Sequence, residues 1–424
     1  MTVRIDPFEL NGRVKSIPSK SFAHRALIAA SLGEGPSTVT VEKSSIDIDA
    51  TRDALIALGA RIQREGDVFL VTPIELRKDI PLVNAVESGS TLRFLLPVAA
   101  ALYNEVRFTG EGRLPDRPIG ALLSAMAANG CRFSGEKLPL TIQGPLTGTR
   151  YSLPGNISSQ FVSGLLLVAP LLKKDVEIRL TSELESKDYV RITTAVMKHF
   201  GVIVEESHAG GPDYVVPGGQ SFKPCDYEVE GDWSNAAFFL AGGALSGAVT
   251  MRGLNNRSVQ GDRGILQVLE EFGAHLETTD QEIRVAKGER RPITADLSLM
   301  PDALPILAVL AASCPLGVSR FYNGARLRLK ESDRLKTVAT MLRDLGGQVD
   351  ELPDGLAVHG TGGLKGGTTS SFGDHRLAMA AAVAACITEQ AVVIHEPQAV
   401  DKSYPDFFED LKDIGGNSHG IELR

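Results

Sequence analysis

Two kinds of apolar pattern alternate along this chain of 424 residues. In the first, apolar positions recur at helical spacing, a glycine follows, and the pattern then changes to alternation at period two. It appears six times: DALIALGARI around Gly59, LLSAMAANGCRF around Gly130, TAVMKHFGVIV around Gly201, LQVLEEFGAHL around Gly273, ATMLRDLGGQV around Gly346 and FEDLKDIGGN around Gly415. These glycines stand 71, 71, 72, 73 and 69 residues apart. Glycine takes the left-handed conformation that closes a helix, so each copy predicts a half-exposed helix, a strand, a turn and a second strand.

The second pattern lies between these copies and is apolar all round: RALIAASL, TLRFLLPVAAAL, FVSGLLLVAPLL, NAAFFLAGGAL, ALPILAVLAASC and HRLAMAAAVAAC. A helix without a polar face belongs inside a core. Each repeat therefore predicts one half-exposed and one buried helix, and its period far exceeds that of a solenoid. The expected fold class is α/β, internally duplicated, with two similar domains of three units, each built around buried parallel helices. The last unit, FEDLKDIGGNSHGIELR, runs out after about one strand, whereas residues 1–18 supply TVRIDPFEL and RVKSIP before any helix. Pairing the two ends predicts one domain from residues 1–18 with 230–424 and a continuous one from 19–229, with the active site in the cleft between them.

Composition narrows the class. Hydrophobic residues make up 43% of the chain and charged residues 23%, the balance of a globular protein of about two large domains. Runs such as GLLLVAPLL are too short to cross a bilayer and MTVRIDPFEL has no secretory pattern, so a cytoplasmic location and no membrane partner are expected. Cys131, Cys225, Cys314 and Cys386 lie far apart without a CxxC pair and read as reduced core residues; neither a metal site nor a disulfide frame is expected. A formal net charge of −8 argues against a general nucleic-acid binder. Any anionic ligand must be held by a local basic cluster.

Such clusters stand just ahead of the buried helices. The segments are SKSFAHR at 19–25, ESGSTLR at 87–93, NISSQ at 156–160, EGDWSN at 230–235, MPD at 300–302 and GDHR at 373–376. Serine, aspartate and asparagine there serve readily as N-caps. Lys20, Arg25, Arg93, His375 and Arg376 are different, because a cation near the positive end of a helix dipole costs roughly 0.3–1 kcal/mol. Their recurrence at equivalent places suggests a shared anionic ligand that reverses the sign, since helix starts are natural anion sites. Parallel buried helices would bring these starts together into a strongly positive cleft. In LRLKESDRLKTVATML, Lys330 and Arg334 stand four apart, on one face if helical, where like charges repel unless an anion lies between them. Glu331 adds a carboxylate, with Ser332 as the expected cap. Asp302 reads either as an N-cap or as an acid–base group, and Lys402 as a surface lysine ahead of a helix begun by Pro405. GTGGLKGG lies between strands and is weak evidence for a nucleotide loop.

Taken together, the segments resemble the 5-enolpyruvylshikimate-3-phosphate synthase family of enolpyruvyl transferases over the whole length. The resemblance rests on SKSFAHR (Lys20, Ser21, Arg25), SGSTLR (Gly89, Ser90, Arg93), LPDRPIG (Arg117), SSQF (Ser158, Ser159, Gln160), SKDY (Ser186, Tyr189), PDA (Asp302), LKESDR (Lys330, Glu331, Arg334), DHR (His375, Arg376) and DKSYPDF (Lys402). It implies two domains that close on shikimate 3-phosphate and phosphoenolpyruvate, with no cofactor or metal and a monomeric enzyme. Lys20, Ser21, Arg25, Ser158, Ser159, Gln160, Ser186, Tyr189, Asp302 and Lys330 would bind shikimate 3-phosphate. Lys20, Gly89, Arg117, Gln160, Arg334, His375, Arg376 and Lys402 would hold phosphoenolpyruvate. Glu331 would protonate and later deprotonate the methylene carbon, Asp302 would accept the hydroxyl proton, and Lys20 would carry protons between them. Two departures stand out: the family's NAGT or NSGT reads Glu87-Ser88-Gly89-Ser90, and Arg326 stands where some members have asparagine.

Two other classes compete. The enolpyruvyl transferases acting on UDP-N-acetylglucosamine share the six-unit fold but carry a reactive cysteine in a loop that here reads TGEGRLPDRPIG, without one. A clamp-like ring on DNA would need basic helix faces around a wide hole, whereas the basic residues here cluster where buried helices begin.

Overall fold

The six-fold pattern folds into six sheets of one topology. In the computed structural model, which describes residues 1–207, 211–415 and 421–423, each sheet has four strands. A parallel pair comes first, and two strands in antiparallel pairing complete it. One example runs Leu82–Asn84 parallel to Glu105–Thr109, then Leu140–Gln143 and Arg132–Phe133 antiparallel. Apart from Leu10–Lys15, the parallel edge strands have only three or four residues, such as Leu82–Asn84, too short to show a period in the sequence.

Twelve α-helices lie among the described residues: α1 (Lys20–Ser31), α2 (Ile46–Ala57), α3 (Gly89–Leu102), α4 (Gly120–Ala127), α5 (Ser159–Val168), α6 (Lys187–His199), α7 (Trp233–Leu245), α8 (Ile265–Phe272), α9 (Leu304–Ala312), α10 (Arg334–Asp344), α11 (His375–Ala384) and α12 (Phe407–Ile414). Odd-numbered helices are the apolar series. Every residue of α7 and α9 is buried, as a helix without a polar face must be. Even-numbered helices bury one stripe; α8 hides Ile265, Val268, Leu269 and Phe272 and leaves its glutamates outside. Gly59, Gly130, Gly201, Gly273 and Gly346 close their helices at φ between +80° and +107°. Gly415 departs from the pattern at φ −80°, with its N–H bonded to the Leu411 carbonyl; residues 416–420 of that last copy lie outside the described residues.

The chain divides into two compact units, Met1–Ile17 with Glu230–Arg424, and Pro18–Val229. Each has its own hydrophobic core. Within the first, Thr2–Ile5 is an inner strand between Val392–His395 and Ile421–Leu423, and Leu10–Lys15 runs parallel to Gly247–Arg252. The second unit draws all three of its sheets from residues 37–228. No helix among the described residues is long and apolar enough to cross a membrane.

Candidate active site

In the unit of residues 18–229 the starts of α1, α3 and α5 meet. Arg93, one turn into α3, donates to Gln160 Oε1 at 2.8 Å, and Gln160 Nε2 donates to Ser90 at 2.9 Å. Ser88 and Ser158 are true N-caps: their hydroxyls accept from the backbone N–H of Thr91 and Gln160. Gly89 lies against two guanidiniums, since a Cβ built there would stand 2.5 Å from Arg93 Nη1 and 2.9 Å from Arg117 Nη1. Ser159 is buried in the first turn of α5.

Arg25 is buried against the face of Phe94, 4.6 Å from the ring centre. Its nitrogens donate to Thr193 Oγ1 at 2.6 Å, the Ser21 carbonyl at 2.7 Å, the Tyr189 carbonyl at 3.0 Å and Ser163 Oγ at 3.4 Å, all neutral oxygens. Burial pulls this guanidinium down to about 9, which still leaves it charged at neutral pH. Ser186 enters α6 at φ +52°, a left-handed conformation rare for serine and of the sort that gathers at functional sites. Lys20 donates to Asp47 at 2.7 Å.

The other unit gathers charge around Arg334, whose side chain is 1% exposed. Its Nε meets Asp374 at 2.8 Å, one Nη meets Glu331 at 2.8 Å, and the other meets Asp302 in a short contact. Asp302 also takes Arg376 at 3.0 Å on its second oxygen, with Lys330 at 3.5 Å. Burial works to raise the Asp302 carboxyl, yet Arg376, Lys330 and Arg334 together outweigh it and hold it well below the usual carboxylate range. Burial brings the Lys330 ammonium down to about 8 although Asp302 opposes the shift. His375 is buried at the start of α11, its Nδ1 3.9 Å from Asp374. Lys402 reaches the Gly373 carbonyl, 2.9 Å away, at the turn into that helix.

Four local expectations change. Lys330 precedes α10 in an extended conformation, so it shares no helix face with Arg334; Asp302 is the anion between them. The cap of α10 is Asp333, while the Ser332 hydroxyl goes to Asp374 at 3.0 Å. Asp302 is no N-cap, because Ala303 takes that place ahead of α9 and three cations claim the carboxylate. Lys402 is half-buried in a 3-10 turn, and the helix after Pro405 begins only at Phe407. The dipole argument also shifts, since Lys20 and Arg376 already have carboxylate partners in Asp47 and Asp302.

A model of the family described as EPSP synthase (3-phosphoshikimate 1-carboxyvinyltransferase) matches residues 6–411. The chain belongs to the EPSP synthase family. The 3-phosphoshikimate 1-carboxyvinyltransferase of Clostridium kluyveri is 42% identical over 98% of this chain and 97% of its own length. That of Clostridium perfringens (strain ATCC 13124) is 42% identical over 98% of each. The solved EPSP synthase of Acinetobacter baumannii shares the fold at a TM-score of 0.81, with 24% identity and 99% of both chains covered. The enolpyruvyl transferase NikO of Streptomyces tendae does so at 0.77, with 18% identity over 99% of this chain and 98% of that one. The inside-out α/β fold expected from the repeats is thus the fold of this family, and neither the sugar-nucleotide enzyme nor a DNA clamp finds support. Burial pushes the Cys131 thiol up to about 11, as for a reduced core residue.

Three carboxylates, two in the unit of Arg334 and one in the other unit, were not singled out from sequence. Asp374 caps α11 and pairs with Arg334 at once. Asp47 pairs with Lys20 from α2. Asp262 is buried, its carboxyl pushed up to about 7 by burial first and by the charge of Asp302 second. GDHR did mark Asp374 as polar ahead of an apolar run, but no local pattern tells a capping aspartate from one that also binds an arginine 40 residues away. Arg326 donates to the Ser298 carbonyl at 3.2 Å, a tie between loops. Among the described residues no group of three or more histidine, cysteine or carboxylate side chains converges as a metal site.

Proposed function

We propose that this chain, like its family, transfers the enolpyruvyl group of phosphoenolpyruvate to the 5-hydroxyl of shikimate 3-phosphate and releases phosphate, with residues of both units serving that one reaction. The observation that carries the reading is Arg334, which holds Asp302 and Glu331 on different nitrogens of one buried guanidinium. The chemistry needs two proton-transfer groups close together, and this pair supplies them. Shikimate 3-phosphate is assigned to Lys20, Ser21, Arg25, Ser158, Ser159, Gln160, Ser186, Tyr189, Asp302 and Lys330. Phosphoenolpyruvate is assigned to Lys20, Gly89, Arg117, Gln160, Arg334, His375, Arg376 and Lys402.

In the first step the 5-oxygen bonds to the phosphate-bearing carbon, its proton passes to Asp302, and Glu331 gives a proton to the methylene carbon. A tetrahedral phospho-ketal forms. In the second step the carbon–phosphate oxygen bond breaks, Glu331 takes a proton back from the new methyl group, and phosphate leaves with the proton held at Asp302 or carried by Lys20. Arg334, Arg376 and Lys330 offset the negative charge that builds up. Pairing with Arg334 favours the charged form of Glu331, which as an acid must be protonated. The carboxylate of phosphoenolpyruvate resolves this by competing for Arg334, so that Glu331 is released from the pair and takes up a proton as substrate binds. A cytoplasmic monomer is the setting we assign, supported by four cysteines that are all free thiols; sedimentation velocity tests the oligomeric state.

The deciding assay is release of inorganic phosphate from phosphoenolpyruvate with shikimate 3-phosphate, beside UDP-N-acetylglucosamine. Release with shikimate 3-phosphate alone is expected. Release only with the sugar nucleotide, or with neither, would overturn the reading.

A further inference from the structure

A buried row of hydroxyls links three helices behind the start of α3. His24 Nδ1, on α1, lies 2.6 Å from Thr51 Oγ1 on α2; Thr51 Oγ1 lies 2.6 Å from Thr91 Oγ1 on α3; and Thr91 donates its hydroxyl proton to Ser88 Oγ at 2.8 Å. Ser88 Oγ is also the cap that accepts the Thr91 N–H at 3.2 Å. All four side chains are essentially out of contact with solvent.

The direction of donation along the row follows from its end. Because the Thr91 proton goes to Ser88, the bond between the threonines must be donated by Thr51. The Thr51 proton is then committed, so the bond to the histidine must be donated by Nδ1–H. That makes His24 the Nδ1–H tautomer with a bare lone pair on Nε2, an atom with no hydrogen-bond partner among the described residues. The opposite tautomer, or an imidazolium, would bury a donor there without an acceptor. Three surroundings keep the ring neutral. Burial lowers its pKa well below the ordinary value, and Lys20 and Arg25 on its own helix lower it further. On α2, Asp47 is engaged by Lys20 and Asp49 and Asp53 by Arg52, and α3 offers the ring of Phe94 at 6.5 Å in a T-shaped contact.

We propose that His24 is a positioning residue for phosphoenolpyruvate: as a neutral Nδ1–H donor it orders the Thr51–Thr91–Ser88 row and thereby holds the first turn of α3 in place. That turn carries Gly89, pressed against the guanidiniums of Arg93 and Arg117, and Ser90, bonded to Gln160. With the row disordered, the Ser88 cap loosens and Gly89 no longer keeps its distance from the two arginines. The effect on the reaction rests on the assignment of Gly89, Arg117 and Gln160 to phosphoenolpyruvate; the tautomer and the row do not.

Two measurements test it. In the intact protein labelled with nitrogen-15 at histidine, the His24 ring should show the neutral Nδ1–H pattern without titrating between about pH 5 and 8. An Nε2–H pattern, or titration in that range, overturns the proposal whatever the enzyme's substrates prove to be. In kinetics, His24→Leu and the isosteric Thr51→Val should each raise KM for phosphoenolpyruvate about tenfold with kcat nearly unchanged. His24→Asn, whose amide N–H stands near the place of Nδ1–H, should restore KM, and that rescue should vanish in the double variant with Thr51→Val. An unchanged KM in folded His24→Leu or Thr51→Val, or no rescue by asparagine, would overturn the positioning role. A wild-type protein with no turnover of phosphoenolpyruvate would instead point to failure of the assigned function, and the ring measurement would still decide the row.

Discussion

Arg334 shows how a single side chain couples charge to chemistry. Buried with three carboxylates, it is held protonated far above the range in which arginines titrate: burial alone would lower it, and Asp374, Glu331 and Asp302 more than compensate. Glu331→Gln should preserve an oxygen for this guanidinium while removing the exchangeable proton. Steady-state assays should show kcat lower by roughly 10²–10⁴-fold with shikimate 3-phosphate binding little changed; near-normal turnover would remove Glu331 from the mechanism. Lys330 sets a pH limit. With its ammonium brought down to about 8, chiefly by burial, it is charged below that pH and neutral above it. The KM for shikimate 3-phosphate should therefore rise as pH climbs through about 8, and a Lys330→Arg variant, charged throughout, should lose that rise. At Gly89, a methyl group would meet Arg93 Nη1 at 2.5 Å and Arg117 Nη1 at 2.9 Å and force both guanidiniums aside. Gly89→Ala should raise KM for phosphoenolpyruvate by about tenfold or more with a smaller change in kcat.

Between elements, side chains at helix starts tie one repeat to the next. Asp374 exemplifies the double duty, accepting from the Arg376 N–H at the head of α11 while binding Arg334 at the head of α10 and the hydroxyl of Ser332. Asp374→Asn keeps the cap oxygen but removes the charge facing a buried guanidinium. The expected result is a loss of about 3 kcal/mol of stability in chemical denaturation, the order seen when one partner of a buried ion pair is removed. A loss below about 0.5 kcal/mol would mean that Glu331 and Asp302 suffice to hold Arg334, as surface pairs commonly contribute no more. In the other unit the corresponding ties are the charge-assisted bond from Arg93 to Gln160, the bond from Gln160 to Ser90 and the ion pair of Lys20 with Asp47, whose partners come from segments far apart in sequence.

For the whole molecule, the unequal parentage of the two units has a consequence for folding. Residues 18–229 contain every strand of three sheets and a complete core, whereas residues 230–424 lack an inner strand, Thr2–Ile5, and an edge strand, Leu10–Lys15. A fragment of residues 18–229 should unfold in one cooperative transition by circular dichroism, and a fragment of residues 230–424 should do so only with the peptide 1–17 added. Cooperative folding of residues 230–424 alone would refute the dependence. The repeats, the two helix types and the turn-forming glycines were legible in the sequence because each rests on local periodicity or on a backbone conformation that few residues tolerate. Five of the six repeat glycines take the left-handed form for that reason, while Gly415 stands at φ −80°. The site residues were legible as types standing at helix starts, with SKSFAHR marking charge where an apolar helix begins and LKESDR where a half-exposed one does. Tertiary structure alone decided the partners: that Asp302 lies between Lys330 and Arg334, that Asp374 and Asp47 complete ion pairs, and that His24 on α1 ends a row of hydroxyls drawn from α2 and the start of α3. Periodicity is a property of neighbours along the chain, whereas an ion pair or a relay of hydroxyls is set by distances of about 3 Å between segments far apart in sequence, which no local pattern encodes.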